Sequence, residues 1–171
     1  MFELKRISTA AIPRAIGKAE RYRLLNEPEE AASICQDILQ VDPGNQEVLA
    51  MLLLAVTDQF GRHPEVNMGD ANRVLVKLQQ SYDRSYYAGV IAERWGKAQL
   101  RRGAHHSVAS AFFAEALDCY AKAMAVSPAG NDDAILRWNA CVRFMEHNAD
   151  LMAETEEVAA EAGFSDGAPA V

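Results

Sequence analysis

The chain has 171 residues, half of them hydrophobic and 24% charged, which supplies a buried core and excludes disorder along the whole length. Seventeen Lys and Arg against 24 Asp and Glu give a net charge of −7, a balance that argues against binding driven by a nucleic-acid backbone. The longest apolar run, Val48 to Val56, is about half of what a membrane-spanning helix needs. The opening Met1-Phe2-Glu3-Leu4-Lys5-Arg6 is charged, and no apolar stretch of signal-peptide type follows it. Three widely spaced cysteines point to a reducing compartment without a disulfide framework. The expectation is a soluble, cytoplasmic protein of one domain or a short repeat array, with no membrane and no nucleic acid among its partners.

Helical signals dominate in chain order. An N-terminal arm over 1–12 leads to a helix with Pro13 in its first turn, where a missing N–H is harmless. Ile16, Ala19, Tyr22 and Leu25 recur about every third residue and describe one face. Asn26-Glu27-Pro28 breaks that helix, and Pro28 opens the next, striped by Ala31, Ile34/Cys35, Ile38 and Leu39. Asp42-Pro43-Gly44-Asn45 stops it. The third helix, around Val48–Val56, is apolar almost all round, so it is either buried between neighbours or offers an apolar surface to a partner.

Gly61 to Gly69 reads as a loop, and Asp70 as the N-cap of a helix from Ala71 to about Tyr82. A long helix follows over about Ser85–Leu100, then a turn at Gly103–His106 and a strong helix over Ala109–Val126. Ser127-Pro128-Ala129-Gly130 ends that one. Asp132 or Asp133 starts a helix over Ala134–His147, an acidic helix closes the array at 148–162, and a tail is expected over 163–171.

Two blocks within this pattern align. Ala31, Cys35, Ile38 and Pro43 are spaced as Ala116, Tyr120, Ala123 and Pro128 are. A small residue lets two helix backbones approach, a larger apolar residue packs beside it, and Pro ends the second helix. The chain resembles the tetratricopeptide repeat (TPR), a helix–turn–helix unit of about 34 residues. Weaker copies around Leu49, Leu52, Val56 with Ala71, Leu75, Leu78, and around Ala88, Ile91, Ala92, Trp95, fit with two insertions. The resemblance covers 13–147. It departs from the family pattern at Asp83, which stands in place of a Pro, and at Trp138, where a small residue is usual.

The resemblance implies an all-α fold of about three and a half antiparallel hairpins, stacked as a short right-handed superhelix whose first helices line a concave groove. By register that groove shows Ile16 and Glu20, then Glu47, Met51 and Leu54, then Tyr86, Val90 and Glu93, then Ile135, Asn139 and Arg143. These are mostly apolar or acidic, so a clamp for a terminal carboxylate is not expected; an amphipathic or extended apolar segment of a protein partner is. Met51 and Leu54 are equally at home as core between stacked units, or covered by the chain's own last helix. A second copy of the chain is the alternative occupant, giving a homodimer.

No cofactor or metal is implied. His105 and His106, if adjacent in a helix, project about 100° apart and cannot readily chelate one ion. Cys35, Cys119 and Cys141 fall on inward positions as packing thiols. No nucleotide-binding glycine motif or nucleophile elbow occurs, and Glu154-Thr155-Glu156-Glu157 reads as a solvated helix face. The chain is therefore expected to be non-catalytic.

Overall fold

A computed structural model describes residues 2–163 and is all-helical over them. The helices are α1 (Ile12–Leu24), α2 (Pro28–Leu39), α3 (Gln46–Asp58), α4 (Met68–Leu75), α5 (Ser81–Arg101), α6 (His106–Ala125), α7 (Asp133–Glu146) and α8 (Ala149–Ala162). They fall into two compact units, divided between Gln79 and Gln80. The expected tail lies, from residue 164 on, outside the described residues. No described helix is long and apolar enough to cross a membrane.

In the first unit, a turn of three residues joins α1 to α2 and makes them antiparallel. Asn26 sits at its apex with φ 64°, a left-handed conformation that Asn tolerates better than most residues. Its Oδ1 accepts a hydrogen bond from Arg62 at 2.7 Å. Pro28 occupies the first turn of α2, and Asn45 caps α3 by accepting from Val48 N at 3.0 Å. Arg23, near the end of α1, donates to Asp58, the last residue of α3, at 2.9 Å, so α1 and α3 run parallel beside each other. The arm is tied down at Arg6, which donates to the Gln40 carbonyl at 2.8 Å.

The α3 helix spends its apolar circumference on packing. Val48, Leu49, Leu52, Leu53 and Ala55 are buried, and α3 lies against α1, α2 and α4.

Two expectations need correction at α4. The helix begins at Met68, because Asn67 is its N-cap and Asp70 the reciprocal partner in a capping box, its carboxylate accepting from Asn67 N at 2.9 Å. It also ends at Leu75 rather than near Tyr82. The segment after it is held by the side chain of Gln46, which accepts from Gln79 N at 2.8 Å and donates to the Lys77 carbonyl at 3.5 Å. Asp83 therefore terminates nothing: it sits in the first turn of α5, where a negative charge suits the helix dipole.

In the second unit, α5 and α6 are antiparallel, since Gly89 lies against Tyr120 while Gly96 lies against Phe113. A Cβ on Gly89 would stand 2.5 Å from Cε1 of Tyr120, so this close crossing requires glycine. The α6 and α7 helices are antiparallel as well, with the rings of Phe113 and Phe144 stacked at 5.5 Å and Ala123 packed with Ala134. The last helix, α8, packs on α6 and α7 and ends at Gly163, whose φ of 65° gives a left-handed cap.

The two aligned blocks share one burial pattern. Ala31, Cys35 and Ile38 on α2, and Ala116, Tyr120 and Ala123 on α6, are all 0% exposed. Pro43 and Pro128 both follow the helix ends, exposed.

Candidate partner-binding site

The sequence-derived groove residues are distributed over α1 and α3 in the first unit, and over α5 and α7 in the second. On the first unit, Ile16, Met51 and Leu54 are half-buried and Glu20 and Glu47 exposed. Parallel α1 and α3 put these residues on neighbouring helices. The apolar share available there is modest, because most of α3 is consumed by the core.

The second unit departs further from expectation. Tyr86, Val90 and Glu93 share one stripe of α5, and that stripe points inward. Val90 is 1% exposed and Glu93 0%; the structure thus moves both from a partner surface into the interior. Tyr86 is half-buried, stacked on Tyr82 at 5.7 Å, edge-on to Tyr87 at 5.1 Å and 6.1 Å from Tyr120. Burial and the nearby Asp133 push the Tyr82 and Tyr86 phenols above their ordinary value.

Glu93 is the centre of a polar cluster that the sequence did not single out. Its carboxylate accepts from Tyr120 Oη at 2.7 Å and from Lys97 Nζ at 2.5 Å, and pairs with Arg137 at 2.9 Å. One buried anion so ties α5, α6 and α7 together, and charge-assisted bonds of this kind are roughly twice as strong as neutral ones. Burial and the adjacent carboxylate push the Tyr120 phenol far above its usual range, so it stays a donor. The missing signal was spacing in space: Glu93, Tyr120 and Arg137 are far apart in the chain, and only the hairpin crossings bring them together.

Ile135, Asn139 and Arg143 are exposed. With about 100° per residue, they lie on the side of α7 opposite Arg137, which faces Glu93. Ile135 and its neighbour Leu136 are 40% and 63% exposed. The structure therefore separates this row from the α5 stripe with which it was grouped.

The histidines and cysteines resolve individually. His105 caps α6, its Nδ1 accepting from Ser107 N at 3.2 Å, and His63, within the Gly61–Gly69 loop, pairs with Glu29 of α2 at 2.6 Å. Cys35 and Cys141 are buried and Cys119 is half-buried, all three free. Burial pushes the thiols up to about 11 for Cys35 and Cys119 and about 12 for Cys141, so they are poor nucleophiles at neutral pH.

Trp138 points into a half-open cavity of about 200 Å³ between α6, α7 and α8, whose floor is Leu117, Val142, Met145 and Met152 and whose rim carries Asp118 and Glu156. No protein-family model, curated protein or solved structure matches this chain.

Proposed function

We propose that the chain is a degenerate TPR-like array that acts as a non-catalytic scaffold, holding a segment of a protein partner on the faces of its helical hairpins. The observation that carries the reading is the repeated register. Two blocks with identical spacing bury the same three positions completely, on α2 and on α6, and each is followed by a proline. A hairpin built this way spends its second helix on packing and leaves part of its first helix for other contacts. The contacts offered are Ile16, Met51 and Leu54 on the first unit, with Glu20 and Glu47 beside them. On the second they are the half-buried Tyr86 and the exposed row Ile135, Asn139 and Arg143.

The test is affinity capture with mass spectrometry, comparing the natural chain with Met51→Asp/Leu54→Asp and with Ile135→Asp/Arg143→Glu, each first shown to keep its helicity by circular dichroism. A protein recovered with the natural chain and lost with either folded variant supports the scaffold. Equal recovery with both variants overturns the assignment of these faces.

A second reading rests on Ile135 and Leu136. Two large aliphatic side chains exposed side by side on one helix suit an isologous contact with a second copy. Sedimentation equilibrium separates the two: a dimer that Ile135→Asp/Leu136→Asp dissociates establishes self-association.

A further inference from the structure

The cavity between α6, α7 and α8 is lined by none of the residues assigned above; on α7 it meets Trp138, Val142 and Met145, and Val142 lies two turns along the same face as Ile135. It is lined by seven apolar side chains, Thr155 and two carboxylates, with no basic residue among them. Its volume of about 200 Å³ is below the usual range of small-molecule pockets, about 300–1,000 Å³. It exceeds the engineered cavity of about 150 Å³ that accepts benzene. The space therefore suits one bulky apolar side chain. Two of the lining residues are methionines, which repack around ligands of varied shape.

Charge decides what carries that side chain. Over Ala149–Ala162, α8 bears Asp150, Glu154, Glu156, Glu157 and Glu161, and no Lys, Arg or His. On the opposite wall, Asp118 is engaged by Lys122 at 2.5 Å, and burial, with Asp118 beside it, raises the pKa of Glu115 one turn earlier on α6. An apolar slot with Asp118 and Glu156 in its lining, beside the acidic α8, is complementary to an amphipathic helix with Lys or Arg flanking its apolar anchor. A second copy is disfavoured, because it would bring an equally acidic α8 against this one. An anionic small molecule is excluded on the same ground.

We infer that the α6–α7–α8 cavity is a docking site for a basic amphipathic helix of a partner protein, with one large apolar side chain seated against Trp138. None of its lining residues belongs to the faces assigned above. Substitutions at Met51 and Leu54, which lie in the first unit, leave it intact, so either assignment can fail without the other.

The chain has two tryptophans, Trp95 and Trp138, so Trp95→Phe makes Trp138 the sole reporter in the full-length protein. Three model peptides of equal length serve as probes: Leu–Lys with amphipathic helical spacing, Ala–Lys with the same charge, and Leu–Glu with the same anchors. The Leu–Lys peptide is expected to shift Trp138 emission saturably, less so as salt is raised. Loss of a buried Leu-sized anchor lowers affinity by about tenfold to a hundredfold, which sets the expectation for Ala–Lys. Leu–Glu is expected not to bind. Ala159→Leu, which fills the cavity from α8, and Glu156→Lys, which reverses a rim charge, are each expected to weaken Leu–Lys binding by about tenfold or more; circular dichroism checks their folding. An unchanged Trp138 spectrum, equal binding of Ala–Lys and Leu–Lys, or full binding by folded Ala159→Leu overturns the proposal.

Discussion

Replacing Glu93 tests whether a single buried anion holds the second unit together. Removing one partner of a buried ion pair costs about 3–5 kcal/mol, because the remaining charges lose their compensation in a poorly solvated site. Lys97 and Arg137 keep 26% and 29% of their side-chain surface, so water recovers part of the loss. The expectation for Glu93→Ala is accordingly the lower end, about 3 kcal/mol. Against a total stability of roughly 0.05–0.15 kcal/mol per residue, that is a large fraction for a unit of this size.

Both tryptophans lie in the second unit, so urea unfolding followed by their fluorescence reports that unit alone. With m of about 1–3 kcal/mol/M, the midpoint is expected to fall by roughly 1–3 M. Tyr120→Phe removes one hydrogen bond to a charged acceptor and is expected to cost about 1.5–3 kcal/mol. The combination Glu93→Leu/Arg137→Leu/Tyr120→Phe removes the cluster except for Lys97, whose side chain keeps 26% of its surface and can turn to water. It is expected to be far more stable than the sum of its single changes, since apolar groups of similar size replace a compensated network with little net loss. A Glu93→Ala loss below about 1 kcal/mol, or strictly additive losses in the triple variant, would refute the reasoning.

Two glycines should respond in opposite directions, read as shifts of the urea midpoint followed by circular dichroism, which senses both units. Gly17→Ala, in α1 with nothing within 4 Å of the new Cβ, is expected to stabilise by about 0.5–1 kcal/mol. Gly89→Ala, whose Cβ would collide with Tyr120 at 2.5 Å, is expected to destabilise by about 1–3 kcal/mol despite the same helix-propensity gain. Asn67→Ala removes the cap of the short α4 and is expected to cost about 1 kcal/mol, seen as faster amide hydrogen exchange over Met68–Leu75. Cys141 gives the pH dependence: below pH 9.0 its thiol is protonated whether folded or unfolded, so its contribution is complete. Above that value the unfolded thiol ionises while the buried one stays neutral up to about 12. Stability should therefore fall as pH rises from 9.0, by about 1.4 kcal/mol per pH unit from this group, and Cys141→Ala should flatten the slope of the fluorescence-detected midpoint between pH 9 and pH 10.5.

Much of the architecture was legible in the residues. Pro13, Pro28, Pro43 and Pro128 punctuate the chain where helices start or stop, and the Ala31 and Ala116 blocks announce equal burial at equal spacing. These are local matters: a missing N–H, a small Cβ and a period of about 3.6 residues act within one or two turns. The end of α4 escaped because it is set from outside. Gln46, more than thirty residues upstream, captures the backbone at Lys77 and Gln79, and no local propensity encodes that.

The same division runs through the candidate site. Periodicity placed Tyr86, Val90 and Glu93 on one stripe of α5 correctly, but it cannot say whether a stripe faces solvent or a neighbour. Glu93 looked like a surface charge, since an isolated Glu is rarely buried. Only the crossings of α5, α6 and α7 supply the hydroxyl, the ammonium and the guanidinium that make burial tolerable. Trp138 stood out in the sequence as a large residue where the repeat prefers a small one, and the tertiary structure converts that misfit into the wall of a cavity. Composition and spacing thus determine which elements form and which faces are apolar. Packing between elements distant in the chain decides which of those faces remain open to a partner.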